Sequence, residues 1–439
     1  VRILVLGINY WPEQTGIAPF TTGRCEYLAA CGHEVIVCTT LPYYPEWRIA
    51  PVYKRRFLVH EERNGVTILR SRIYVPQRVN SPRRVLHESS FVAASILRAL
   101  VQRRPDAMLV VSPPLGLALS AVILSRRWGI PYVFHVPDLQ PDAAVDLGML
   151  AMGPFVRGLY ALERLAYRNA ALISTLTEPM RQRIISKGIP ADKVKLFSDW
   201  AAPEFFRIAL EDQGAGFRRV QGLDDSFLVL HSGNMGLKQG LEVVLDAAEL
   251  SRGDAGIDYL LVGDGAAHAF LEKRAAARAL SNVHFMPLQP RAEFMGLLAA
   301  TDVSLITQQR VVANTVFPSK TLTLMAAGRP VIASVNTESE VARVVRNARA
   351  GLVVEPENPS ALFDAVKKLR NDAHERHAMS IRAREYAQAH WDRNRILAQT
   401  TAQLEALALS CPNPRNIRSE RLGLASPIPP LTREEESLP

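Results

Sequence analysis

The chain has 439 residues, enough for two or three domains. With 48% hydrophobic and 22% charged residues it is an ordinary globular protein with ample core, which excludes a disordered chain. Its net charge of +9 lies wholly in residues 1–205, where 25 Lys+Arg face 16 Asp+Glu, so one half suits a negatively charged partner such as nucleic acid or an anionic membrane.

Arg2 to Gly7 reads as a strand, followed by a polar loop, Asn9 to Gly16, and a helix with Phe20, Cys25, Leu28 and Ala29 inward. Val35 to Cys38 is the next strand, so the chain opens as a doubly wound parallel sheet. No basic leader region precedes the first strand, and Cys25, Cys31, Cys38 and Cys411 form no CxxC pair; both point to reduced thiols in the cytoplasm. Pro42 to Trp47 (PYYPEW) is an aromatic loop beside Lys54, Arg55 and Arg56, which fits either a binding surface or local packing. Val85 to Val101 forms an amphipathic helix flanked by Arg83, Arg84, Arg103 and Arg104, a pattern that can lie on anionic lipid. Ala107 to Ser125 is 19 residues without a charge, but Pro113, Pro114 and Gly116 divide it into a strand and a core helix. Strands recur at Val66–Leu69, Met108–Val111, Tyr132–Val136, Ala171–Thr175 and Val194–Phe197.

The periodic pattern lapses near 200–225, and the architecture then repeats. Strands at Phe227–Leu230, Tyr259–Val262, Val283–Met286, Val303–Ile306, Val331–Ala333 and Val353–Val354 alternate with helical stretches. The expected division is an N-terminal domain over 1–205, a second doubly wound domain over 206–385, a crossing helix over 386–409 and a disordered tail over 410–439, which carries six prolines.

Two stretches carry phosphate-binding chemistry. Gly233-Asn234-Met235-Gly236 follows a strand and lets backbone N–H groups meet phosphate oxygens. Pro318-Ser319-Lys320 opens a helix that Gly328 ends, with Ser319 as N-cap; a hydroxyl and a lysine there suit a phosphate, or an ordinary cap beside a surface lysine. Gly263-Asp264-Gly265 looks like a dinucleotide fingerprint but lacks the third glycine, since His268 stands there.

Asn9 to Ile17 (NYWPEQTGI), Leu28 to Val35 (LAACGHEV), PYYPEW, Asp138 to Leu147 (DLQPDAAVDL), Ser232 to Leu241 (SGNMGLKQGL) and Pro318-Ser319-Lys320 together resemble family-4 glycosyltransferases, in the colanic-acid branch. The resemblance covers residues 1 to about 405. It implies a GT-B fold: two Rossmann-like domains facing a cleft, donor on the C-terminal one, C-terminal helices crossing back. It also implies metal-independent, retaining transfer of a hexose from a nucleotide sugar, such as GDP-fucose, to a polyprenyl-diphosphate-linked acceptor. That acceptor would lie at the cytoplasmic face of the inner membrane, in exopolysaccharide synthesis, with no nucleic acid bound.

By the same resemblance Asp138 stands near the reacting sugar and His135, two residues before Pro137, is a second catalytic candidate. The donor would meet Gly16, Gly233, Asn234, Lys238, Asp264, Ser319, Lys320, Thr323 and Glu340. The chain departs from its relatives where they carry an Arg and an aligned Lys: here stand Asn234 and Gln239, with Lys238 displaced by one. Lys320 is therefore the leading cation for the diphosphate. Thr323 replaces a ribose-holding Glu and cannot act as a charged acceptor. A nucleotide-sugar epimerase and a non-enzymatic nucleotide sensor at the membrane remain alternatives.

Overall fold

The computed structural model describes residues 1–410 apart from 79, 149, 211–213, 255 and 313–315; beyond Ser410 the expected disordered tail lies outside the described residues. The chain opens with β1 (Arg2–Gly7), α1 (Ala18–Ala30), β2 (Glu34–Thr40) and a hairpin of β3 (Leu58–Arg63) and β4 (Val66–Ser71). Next come α2 (Ser81–Leu100), β5 (Ala107–Val111), α3 (Leu117–Trp128), β6 (Tyr132–Val136) and α4 (Gln140–Asp146). The first sheet is completed by α5 (Pro154–Asn169), β7 (Leu172–Thr175), α6 (Glu178–Ser186) and β8 (Val194–Leu196). Its order is β3-β4-β2-β1-β5-β6-β7-β8, parallel except for β3 against β4. Leu4, Leu6, Met108, Val110 and Phe134 fill one face, and Ile3, Val5, Leu109, Val111 and Val133 the other. Such near-continuous apolar strands belong to a parallel sheet covered on both sides.

Sequence reading missed β3. Its residues Leu58-Val59-His60-Glu61-Glu62-Arg63 lie on the sheet edge and present no apolar run. The hairpin turn supplies the signal: Asn64 and Gly65 take positive φ of 49° and 77°, as a tight primed turn requires. The uncharged stretch resolves as expected into β5, a proline loop and α3, and no described helix is long and apolar enough to cross a membrane.

The second half begins with α7 (Ala215–Gln221), β9 (Phe227–Ser232), α8 (Glu242–Leu250), β10 (Ile257–Val262), α9 (His268–Ala277) and β11 (Val283–Met286). It continues through α10 (Arg291–Ala300), β12 (Val303–Thr307), α11 (Lys320–Ala326), β13 (Val331–Ser334), α12 (Glu340–Ala348) and β14 (Gly351–Val354). All six strands are parallel, in the order β11-β10-β9-β12-β13-β14. The two doubly wound sheets meet the expected fold class.

Three helices close the chain: α13 (Pro359–Asn371), α14 (Ala373–His390) and α15 (Arg393–Ser410). The first two pack on the second domain, whereas α15 returns to the first, where Leu404 joins Ile3, Val5 and Leu28 in the core and Glu405 meets His33 at 2.8 Å. The polypeptide thus passes between the domains twice. The two passages touch, with the Ala201 N–H donating to the Trp391 carbonyl at 3.1 Å. Arg24 fastens the first passage to α1: its guanidinium donates to the carbonyls of Phe197 and Ser198 and to Asp199 Oδ1 at 2.9 Å, and lies over the Trp200 ring.

Candidate active site

Strands β9 and β10 end in glycine loops that lie on each other. Gly233 N–H donates to the Val262 carbonyl, Met235 N–H to Asp264, and Ala267 N–H to Met235, each at 2.8 Å. At Gly263, where φ is +142°, an added Cβ would stand 2.0 Å from the Gly233 carbonyl oxygen. Only glycine allows this approach. Gly263→Ala is expected to cost about 3 kcal/mol or more of stability, measured by urea unfolding, and to disorder the loop that Gly233 begins.

Lys320 opens α11 and reaches back to this loop. Its Nζ lies 3.3 and 3.5 Å from the two ring nitrogens of His231, and 3.9 Å from where a Gly233 Cβ would be. Among the described residues no carboxylate pairs with it, and burial pulls its ammonium down to about 7. His231 at the end of β9 is fully buried; burial, then the Lys320 charge, holds its imidazole well below the usual range and so neutral. Next to Lys320, the buried Thr321 hydroxyl has no hydrogen-bond partner.

Ser319 corrects an expectation. It occupies the N-cap position, but its backbone is already helical (φ −59°, ψ −22°) and its hydroxyl makes no capping bond. A capping side chain needs extended backbone to reach forward, so the exposed Ser319 hydroxyl is left for solvent or a ligand. Thr323 is half-buried, three residues further along α11. Asn234 and Asp264 are exposed on the glycine loops, and Asp264 Oδ1 accepts from the Gly265 N–H at 2.7 Å. Glu340 stands apart: it opens α12 and is chelated by Arg343, Oε2 accepting from Nε at 2.8 Å, so the structure gives it an intrahelical partner.

In the first domain, Asp138 follows β6 and forms a single antiparallel bridge with Val316 of the second domain. Burial raises its carboxyl above the usual range, while Lys238 from the second domain and Arg84 from α2 pull it back. Asp138 therefore stands within electrostatic reach of Lys238, and its bridge to Val316 brings the carboxyl end of β6 against the second domain. Helix α4, just beyond, is pinned by buried charges: Lys187 contacts Asp142 and Glu163, and Arg183 donates to Asp142 from both Nε and Nη2 at 3.0 and 2.8 Å.

His135 does not join this group. It is 2% exposed, its Nδ1 lies 2.9 Å from Ser174 Oγ, its ring packs beside Phe197, and burial holds it neutral. It is a core histidine, which corrects its reading as a catalytic candidate. Gly16 is exposed with φ +63°, and a Cβ there would touch Tyr44 at 3.8 Å.

Of the two readings of the aromatic loop, the structure shows local packing. Tyr43, Tyr44, Trp47 and His87 pack edge-on among themselves, and Tyr43 Oη lies 3.0 Å from His87 Nε2. Sequence reading missed the residue that folds it. Buried Glu13 accepts from the Tyr43 and Tyr44 N–H groups at 2.9 and 2.8 Å and from Asn9 at 2.8 Å. Glu13→Ala leaves two buried N–H groups unpaired. It is expected to cost about 2–4 kcal/mol in urea unfolding and to expose the loop to chymotrypsin after Tyr43 and Trp47. Among the described residues no cluster of three His, Cys, Asp or Glu could hold a metal ion.

Comparisons with known proteins match this layout. Residues 15–200 match the glycosyl transferase 4-like domain and residues 216–386 the glycosyl transferases group 1 model. The chain belongs to this family of glycosyltransferases. It is similar to WcaI of Escherichia coli strain K12, a glycosyl transferase named for colanic acid biosynthesis, with 34% identity over 91% of this chain and 98% of the relative. Among solved structures it resembles sucrose-phosphate synthase from Thermosynechococcus elongatus, with TM-score 0.73 and 17% identity over 93% of this chain and 99% of the other. It also resembles Anabaena HepE in complex with UDP-glucose, with TM-score 0.70 and 16% identity over 92% and 99%. These structural likenesses show the GT-B fold.

Proposed function

We propose that this glycosyltransferase moves a hexose, with retention and without a metal, from a nucleotide sugar to a polyprenyl-diphosphate-linked saccharide at the cytoplasmic face of the inner membrane. One observation carries the donor side: the Lys320 ammonium, without a carboxylate partner among the described residues, stands beside the Gly233 backbone at the sheet end. A diphosphate is the missing counter-charge, and in its absence the buried amine is held near neutrality. On departure the diphosphate gains charge, which Lys320 stabilises in place of a divalent ion; the Gly233, Met235 and Gly236 N–H groups, by contrast, already donate within the loops. Asp138 and Lys238 flank the reacting sugar. GDP-fucose is the first donor to test, since the colanic-acid resemblance implies it; the UDP-glucose bound by the HepE relative makes UDP-sugars the second. Exopolysaccharide synthesis is the setting that the WcaI likeness supports.

For the acceptor side, the basic N-terminal half supports an anionic membrane. Val52 and Phe57 are 77% and 73% exposed, and Lys54, Arg55 and Arg56 stand between them. On α2, Leu86, Leu97 and Leu100 form an exposed stripe, and Arg83 and Arg84 lie at its start. Basic and apolar groups side by side suit lipid headgroups above acyl chains. Sedimentation with phosphatidylglycerol vesicles is expected to capture the protein at low salt and release it above about 0.5 M salt, with Phe57→Asp weakening capture. The deciding experiment incubates the protein with labelled GDP- and UDP-sugars and membrane extract. Label in the lipid fraction supports the reading, whereas no transfer from any donor, or a changed free nucleotide sugar without acceptor, overturns it.

A further inference from the structure

The second ring of contacts around Lys320 holds a residue with no assigned role. We infer that His231 is a positioning residue for Lys320, an uncharged acceptor that keeps the ammonium beside the Gly233 backbone until a diphosphate takes it over. The inference rests on the donor-site reading above.

His231 is 0% exposed and is the penultimate residue of β9, two residues before Gly233, so the strand fixes its ring at the start of the glycine loop. Its partner across the register, Leu261 of β10, is also fully buried. An apolar residue would pack there as well as a histidine; an imidazole in a dry core needs a polar neighbour. It has two, the Asn234 backbone and Lys320, whose Nζ lies 3.3 Å from Nε2 and 3.5 Å from Nδ1. Both distances are long for a hydrogen bond, and a neutral ring offers the ammonium one unprotonated nitrogen, so the contact is a loose one. A carboxylate at 231 would form a short ion pair and repel the diphosphate. A neutral ring steers the amine with a contact weak enough to be exchanged for charge-assisted bonds to phosphate.

The test compares three variants by titration calorimetry with GDP-fucose and UDP-glucose as probes, using whichever the wild type binds, and by donor KM and kcat in the transfer assay. His231→Phe keeps a flat ring and removes both nitrogens; donor affinity is expected to fall about tenfold and KM to rise in step, with kcat within about twofold and the melting temperature unchanged. His231→Gln restores an acceptor and is expected to bring affinity back to within about threefold of wild type. His231→Glu is expected to abolish nucleotide binding in a protein whose circular dichroism is native. Unaltered donor affinity in His231→Phe, a fall in kcat alone, or failure of a folded His231→Gln to recover affinity overturns the inference. Lys320→Ala separates it from the reading beneath: wild-type binding in that variant removes the donor site itself. Lost binding there, beside an indifferent His231→Phe, removes only the role of His231.

Discussion

Lys320→Ala is expected to weaken nucleotide-sugar binding about a hundredfold, the worth of two charge-assisted hydrogen bonds to phosphate, without lowering the melting temperature. The stability half of that result follows from burial. The folded protein holds Lys320 at about 7, whereas the unfolded chain returns it to the ordinary lysine range. In the free protein the cost of confining the ammonium is complete below pH 7 and fades as pH rises from about 7 toward the ordinary value. A bound diphosphate reverses the balance by favouring the charged form. Binding above pH 7 is therefore expected to take up a proton and to weaken as pH climbs. Calorimetry at pH 8 in two buffers of different ionisation heat measures that uptake, and Lys320→Ala abolishes it. His231 does not contribute a proton of its own, because burial and the neighbouring ammonium keep it neutral.

The second large effect is expected at Asp138. Asp138→Asn keeps the shape of a half-buried side chain and removes its charge, so nucleotide-sugar affinity is expected to stay within about threefold while kcat falls about a hundredfold or more. The split follows from placement. Lys320 and the glycine loops belong wholly to the second domain, whereas Asp138 belongs to the first and meets the second at Val316, within electrostatic reach of Lys238. A donor can dock on the second domain without Asp138; the reaction between donor and acceptor cannot proceed without both. Single-turnover kinetics with preloaded donor measures the chemical step directly. Equal losses in affinity and turnover would move Asp138 out of the reaction and into donor binding.

Much of the architecture was legible because parallel strands covered on both faces leave uninterrupted apolar runs. Arg2–Gly7, Tyr132–Val136 and Phe227–Leu230 were read within two residues of β1, β6 and β9. β3 was not, because an edge strand is held by its partner and needs no apolar run of its own. Within the site, Lys320 and the glycines announced themselves by residue type next to strand ends. Residues that act through others did not. Glu13 looks like any loop acid until Tyr43 and Tyr44, thirty residues on, bring it their N–H groups. His231 differs from a core residue only in the amine that reaches it from α11, 89 positions later. Burial, likewise, is invisible in spacing. His135 and Asp138 are three residues apart in one strand-to-loop step, yet the first turns into the core and the second toward Lys238.

The pair of interdomain passages has a mechanical consequence. Two ribbons that join rigid plates at separate corners would hold the plates to a fold about the line between them. Here both ribbons run through one spot, knotted by the Ala201–Trp391 hydrogen bond and tethered to α1 through Arg24. A shared crossing leaves the plates free to rotate about one place, beside Trp200, which lies under Arg24 and against Phe20 of α1.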